Sequence, residues 1–508
     1  MWDDGYTSEV NYTSGYYFEL SPTLIKLALL ACGIDHGIGE NPDYLELGFG
    51  QGLTLNINAA TNSGRFFGTD FNPGQVINAR ELAGAMGKKI ELFEDSFEEL
   101  AGRSDLPQFD VIALHGIWSW ISEKSRAAIV EIARKSLKPG GALYISYNVT
   151  PGWSPAWPLR MLLAEHAKRE GTGTLFDKVD QALDFVSQMM GANAAYFQQN
   201  PQLASRLELM KKQDRTYIAH EFFNAHWDPM PFSQVAEQLS EAKLTFAGSA
   251  VILENLSAFS TPASAAPILQ AIKDPIMRQT ARDFFISQQF RRDIFVKGPR
   301  TITPHDYGKR IERQRFVLLG DAQKPPTKVS TSIGDVDLRA DLCKLVTKAL
   351  ASSPDGMASV AELAASRELK AYKPTQIWEM LIVLTGAGYV APLSSSTTPA
   401  EDEAASRSLN ALLLDRAEAG CGVEYLAAAK LGSATAVTRI EQLFIRAQMA
   451  KAKDPVDWVN KLLIDQNQLL IVEGETIKDT ARTLVELNRM FAEFTGHKAA
   501  LLKRLGVC

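Results

Sequence analysis

Cysteine is scarce. Four residues, Cys32, Cys343, Cys421 and Cys508, are scattered over 508 positions. No two stand at metal-ligand spacing and they outline no disulfide framework, so neither a metal site nor a stapled secreted scaffold is expected. Basic charge is not in surplus: 53 Lys and Arg face 59 Asp and Glu, a formal charge of −6. A general nucleic-acid binder normally carries a basic excess, so no nucleic-acid partner is expected. No apolar run approaches the roughly 18 residues of a membrane span. The opening Met1-Trp2-Asp3-Asp4 lacks the basic and apolar regions of a signal peptide. These absences together predict a soluble, cytoplasmic protein. Hydrophobic residues, at 46%, suffice for real cores, and the length suits roughly three domains.

The chain is organised around Asp43-Tyr44-Leu45-Glu46-Leu47-Gly48-Phe49-Gly50-Gln51-Gly52. A short apolar strand runs into three alternate glycines and then a helix, a pattern that lets backbone approach a ligand closely. From 43 to 148, strands and helices alternate. Strands are expected at 43–47, 65–70, 89–94, 110–114 and 142–147, separated by Asn62-Ser63-Gly64, Asn72-Pro73-Gly74 and Lys138-Pro139-Gly140-Gly141. This alternation predicts an α/β fold with a parallel sheet, whose ligands bind beyond the carboxyl ends of the strands. Later stretches, Thr245–Phe246, Ala250–Leu253 and Arg292–Val296, are expected as strand that supplies a closing antiparallel pair.

The strand ends carry one polar group each. The first ends in the glycine turn and the second in Asp70, placed to accept from ribose hydroxyls. The third ends in Asp95-Ser96-Phe97, where a carboxylate and a ring suit an adenine. The fourth ends in His115-Gly116-Ile117-Trp118-Ser119-Trp120, and the fifth in Tyr147-Asn148, running on to Trp153. The turn reads G-x-G-x-G, with Leu53 where a dinucleotide fingerprint needs glycine and no lysine for a phosphate loop. Glu46 ahead of it would repel a pyrophosphate yet accept from an ammonium. S-adenosylmethionine has an ammonium, a carboxylate, a ribose and an adenine but no phosphate. Its carboxylate would suit the helix N-terminus near 50–53.

Leu45-Glu46-Leu47-Gly48-Phe49-Gly50-Gln51-Gly52, Gly68-Thr69-Asp70, Asp95-Ser96-Phe97 and Lys138-Pro139-Gly140-Gly141 resemble the motif series of Rossmann-like (class I) S-adenosylmethionine-dependent methyltransferases over roughly 40–150. Phe109-Asp110, His115 to Trp120, Ser146 to Trp153, His220-Glu221-Phe222-Phe223 and Phe290-Arg291-Arg292-Asp293 resemble, more narrowly, bacterial methyltransferases with an appended regulatory domain. That set includes the rickettsial lysine methyltransferases of outer membrane proteins. The resemblance implies S-adenosyl-L-methionine as cofactor. The candidate cofactor contacts are Tyr16, Glu46, Gly48, Phe49, Gly50, Gly52, Asp70, Phe71, Asp95, Ser96, Phe97, His115 and Gly116. Trp118, Trp120 and Trp153 are candidates for an aromatic acceptor pocket, with core packing as the rival reading. Aromatic walls hold cations by cation–π attraction. His115 and Tyr147 are the catalytic candidates. A His-Gly-Ile-Trp run replaces the Asn/Asp-Pro-Pro-Tyr acceptor motif, so adenine or glutamine methylation is not indicated, and a structural His115 stays open. His220 and His226 are weaker candidates.

The expected divisions are an aromatic and helical lid at 1–40, including Tyr12, Tyr16, Tyr17 and Phe18, and a cofactor-binding core at 41–153. A helical insertion with the closing strands follows at 154–320, then a linker at 321–335 and a mostly helical domain at 336–508. In the last, Ser359–Ala365 and Thr375–Leu384 have a winged-helix-like outline. Thr375–Leu384 lacks Lys and Arg, which argues against DNA binding. A spacer is expected at 394–408, and the final helices read as a packing or oligomerisation module compatible with a homodimer. Three functions remain open from sequence: methylation of a protein side chain, lysine foremost; methylation of a small molecule; and sensing of the cofactor without turnover.

Overall fold

The computed structural model describes residues 15–394, 398–472 and 474–508. Tyr12 and the first part of the expected lid lie outside the described residues. The central sheet has seven strands: β1 (Asp43–Leu47), β2 (Arg65–Thr69), β3 (Ile90–Phe93), β4 (Phe109–Leu114), β5 (Leu137–Asn148), β6 (Leu244–Ser249) and β7 (Phe290–Lys297). They lie in the order β3-β2-β1-β4-β5-β7-β6. β1 to β5 run parallel, and β7 runs antiparallel to both neighbours. The order reverses between β1 and β4, which opens a crevice at their carboxyl ends. β4 is buried along its whole length, as a two-sided parallel strand must be.

Local chemistry sets the boundaries. Asn72 caps the helix Pro73–Met86, its side chain accepting from Gly74 N at 2.9 Å, with Pro73 in the first turn. Ser122 caps Glu123–Ser136 in the same way. Ser21 stands at the N-cap of Pro22–Ala31, but its hydroxyl donates to Gly432 O at 2.9 Å rather than capping the helix. Ala250–Leu253, expected as strand, instead leads into a short 3-10 helix at Ile252–Asn255.

Between β5 and β6 stand the helices Trp157–Arg169, Leu175–Gly191, Gln202–Lys212, Arg215–Phe222 and Phe232–Ser240. The first four share their own apolar core around Trp153, Leu163, Leu183, Leu207 and Phe222. The expected linker at 321–335 holds part of a hairpin, Lys328–Thr331 with Gly334–Asp337. The strand before it, Arg315–Leu318, already belongs to the winged-helix-like unit, pairing antiparallel with Met357–Ser359 and Val390–Pro392. The spacer expected at 394–408 is largely the start of a helix, Ala400–Glu418. That helix packs on Leu53–Thr61 and Pro73–Met86, where Asp402 pairs with Lys88 and Ser406 donates to Ala60 O at 3.2 Å. No helix among the described residues is long and apolar enough to cross a membrane.

Candidate active site

A cavity of about 1220 Å³ lies beyond the carboxyl ends of β1 to β5. Gly48, Gly50 and Gly52 all have positive φ. A Cβ on Gly48 would stand 2.5 Å from Ile117 Cδ1, and one on Gly52 would stand 2.5 Å from Ala79 Cβ. The turn thus needs glycine for conformation and for space. Gly48 N donates to Thr69 O at 2.9 Å, tying the turn to β2. The helix Leu53–Thr61 begins without a side-chain cap, so its first N–H groups face the cavity end.

Two carboxyls stand at this end. Glu46 is buried, takes the Tyr44 hydroxyl at 3.1 Å, and has no ion-pair partner among the described residues. Burial pushes it up to about 8, against the pull of the Tyr44 bond and with a contribution from Asp70. Asp70 accepts from Gly50 N at 2.8 Å and Asn72 N at 3.0 Å, and the Gln75 amide lies within 2.8 Å of both its oxygens. Burial lifts Asp70 to about 7. Two partly charged carboxyls without a cation, beside glycines and an uncapped helix start, fit a ligand that brings an ammonium, hydroxyls and a carboxylate. S-adenosylmethionine does so.

Phe49, Phe71, Asp95, Ser96, Phe97, His115 and Gly116 also line the cavity. Asp95 pairs with Arg103 at 3.0 Å, whose guanidinium lies 4.2 Å over the Phe93 ring. The Ser96 hydroxyl is committed to a capping box with Glu99. His115 Nδ1 is 2.7 Å from the Tyr144 hydroxyl, and Tyr17 stacks on its ring at 3.9 Å. Burial, aided by Arg292, lowers His115 to about 3, so it stays neutral. Gly116 N donates to Ser146 Oγ at 2.8 Å.

Three expectations are corrected. Tyr16 is off the cavity: its hydroxyl donates to Asn58 at 3.2 Å and its ring packs on Phe18 and Tyr425, while Tyr17 takes the lining position. Trp118 is fully buried in the core, and Trp120 and Trp153 line the cavity. Tyr147 is fully buried and donates to Asp293 Oδ2 at 2.7 Å. Side chains alternate along β5, so Tyr144, Ser146 and Asn148 take the site face and Ile145 and Tyr147 the other. Beneath Tyr147, Arg291 binds Asp293 at 2.7 Å and Asp283 at 2.6 Å. His220 and His226 do not line the cavity.

The other end of the cavity is bounded by Trp120, Asn148, Trp153, Arg206, Tyr217, Glu221 and Phe290. Arg206 lies 4.0 Å over the Trp153 ring. Of these, sequence reasoning missed Arg206, Tyr217 and the roles of Asn148, Glu221 and Phe290. Glu221 and Phe290 stand inside motifs whose resemblance was legible, whereas Arg206 and Tyr217 carry no local signal.

A model described as "Methyltransferase domain" matches residues 45–141, and one described as "Predicted methyltransferase regulatory domain" matches 214–297. The uncharacterized protein sll1526 of Synechocystis is 36% identical over 100% of this chain and 99% of its own. The protein RP789 of Rickettsia prowazekii is 23% identical over 63% of this chain and 58% of its own. PKMT2 from Rickettsia typhi, solved in complex with AdoHcy, shares the fold over 98% of this chain and 99% of its own, at TM-score 0.66 and 18% identity. The chain thus belongs to the family of the Synechocystis protein and is a class I S-adenosylmethionine-dependent methyltransferase carrying a methyltransferase regulatory domain.

Proposed function

We propose that the chain methylates a primary amine, namely the lysine side chain of a protein. The observation that carries this reading is the second half of the cavity. It joins the cofactor half at His115 and Gly116, and Trp120, Trp153, Tyr217 and Phe290 wall it. Such walls suit an alkylammonium and its methylated products. The resemblance to rickettsial lysine methyltransferases and the fold shared with PKMT2 support the same class of acceptor.

Glu46 would take the cofactor's ammonium and Asp70 its ribose hydroxyls, displacing the Gln75 amide. Asp95 and Phe97 would meet its adenine, and the N–H groups at 50–53 its carboxylate. Gly48, Phe49, Phe71 and Ser96 shape the same half. When bound there, the cofactor supplies a methyl group on a sulfonium. The chain's own task is then to hold an uncharged amine in near-attack geometry and to exclude water. His115, neutral and clamped between Tyr17 and Tyr144, orients rather than abstracts a proton. Its low pKa makes it a poor base near pH 7.

The test is transfer from labelled S-adenosylmethionine into a cell lysate. Label is expected in protein, recovered as methyl-lysine after hydrolysis. Label confined to small molecules refutes the protein acceptor, and tight cofactor binding without transfer indicates a sensor.

A further inference from the structure

Asn148, at the end of β5, is 2% exposed, and its Nδ2 has no hydrogen-bond partner among the described residues. It lines the cavity beside Glu221, on the helix Arg215–Phe222. The Glu221 carboxyl has no ion-pair partner within reach among the described residues. Arg206, on Gln202–Lys212, and Tyr217 are the charged and titratable groups facing it. Arg206 is held over Trp153 and acts on Glu221 only at longer range. The Trp153 Nε1, in the same half, is also buried without a partner among the described residues. A buried carboxyl without an ion-pair partner thus faces the half of the cavity where the acceptor must enter, with the Asn148 side chain, whose Oδ1 can accept from an ammonium, beside it.

We propose that Glu221, with Asn148 beside it, binds the acceptor's ammonium and takes its proton before methyl transfer. This inference rests on the amine reading above. The N–H bond of the ammonium breaks, the proton passes to a Glu221 oxygen, and nitrogen keeps the electron pair. That pair then forms the N–CH3 bond while the sulfur keeps the pair of the bond it loses. The proton on Glu221 leaves to water through the cavity. Burial raises Glu221 to about 7, with Arg206 opposing the rise. A base with that affinity is half ionised near neutral pH and accepts a proton from a desolvated ammonium far better than an ordinary carboxylate would.

The probe is n-butylamine, which has the length and charge of a lysine side chain, titrated by calorimetry into AdoHcy-saturated protein. Binding to the wild type is expected to weaken about tenfold from pH 8 to pH 6, following the ionised fraction of Glu221. E221Q is expected to bind at least about tenfold more weakly at pH 8, with E221D between, and with AdoHcy affinity unchanged. In transfer to lysate protein, kcat/KM of the wild type should fall below about pH 7, and E221Q should lose that limb with roughly 100-fold lower rate. Butylamine affinity that is independent of pH in the wild type, or equal in E221Q, overturns the proposal even if E221D misfolds. Methyl-lysine formed by E221Q at the wild-type rate overturns it while leaving the amine reading intact. Wild-type label on acceptors other than amines overturns both.

Discussion

Glu46→Gln isolates the cofactor half of the site. In the unliganded protein Glu46 is 4% exposed, with the Tyr44 hydroxyl as its donor, and burial holds it near 8. Binding an ammonium demands the carboxylate. At pH 6, ionising a group two units below its pKa costs about 2.7 kcal/mol. A charge-assisted hydrogen bond returns about 1.5–3 kcal/mol. The two nearly cancel, and Gln and Glu should bind alike. At pH 8 the group is half ionised and the cost falls below about 0.5 kcal/mol, leaving on the order of 1–2.5 kcal/mol in favour of Glu. The wild type should therefore bind AdoHcy about 5- to 70-fold more tightly than E46Q at pH 8, and within about twofold at pH 6. Asp70, near 7, titrates in both proteins, so the affinity ratio, not either affinity, isolates Glu46. Calorimetry in buffers of different ionisation enthalpy should also show proton release on binding to the wild type and less in E46Q. Without ligand the folded wild type keeps a proton that the unfolded chain has lost. Its stability therefore declines as pH rises from the ordinary Glu range through about 8. E46Q lacks this decline and should melt no lower. A ratio that stays constant from pH 6 to 8, or equal affinities at pH 8, refutes the placement of the ammonium at Glu46.

Tyr147→Phe removes a hydrogen bond to the buried Asp293. It should cost about 1–2 kcal/mol in chemical denaturation while leaving AdoHcy affinity unchanged. Trp118→Ala should lose about 3–5 kcal/mol of stability. Trp120→Ala should melt near the wild type but transfer methyl groups more slowly, so equal stability losses in the pair would contradict their separate placement. Gly52→Ala forces a Cβ 2.5 Å from Ala79 at a positive φ. AdoHcy affinity should drop more than tenfold, and an unchanged affinity by calorimetry would show that the turn relaxes freely.

The sheet and its cofactor crevice were legible because their signals are local. Apolar runs, turn residues and three glycines at positive φ each act over a few positions. Errors arose where one residue of phase decides a side chain's fate. Tyr147 and Asn148 are neighbours on β5, and strand parity sends one to the core and the other to the cavity. Trp118 and Trp120 occupy a single 3-10 turn, where second neighbours point about 120° apart. Tyr16 and Tyr17 enter the 3-10 turn Phe18–Leu20, and contacts distant in sequence, the Asn58 amide and the Tyr425 ring, hold Tyr16 inward. Ser96 lines the cavity, yet its hydroxyl is bound to Glu99, three residues on. Arg206 and Tyr217 reach the site through the packing of a separate helical core, which no local pattern encodes, whereas Glu221 stands within a motif whose resemblance was legible but whose role was not.

The matched regulatory segment, 214–297, is not an appendage to the sheet. It contributes β6 and β7, and β7 is paired to β5 from Asn148↔Phe290 to Ala142↔Val296. It also brings Tyr217, Glu221, Gln289 and Phe290 to the cavity. Its anchor is the buried set of Arg291, Asp283, Asp293 and Tyr147, where removal of one charged partner strands another in low dielectric. That anchor lies one residue from Phe290 on β7 and one from Asn148 on β5. The segment thus holds Phe290 and Asn148 in the cavity wall, whereas β1 to β3 carry the glycine turn, Asp70 and Asp95. A change confined to this segment should therefore alter methyl transfer while AdoHcy affinity by calorimetry stays nearly constant.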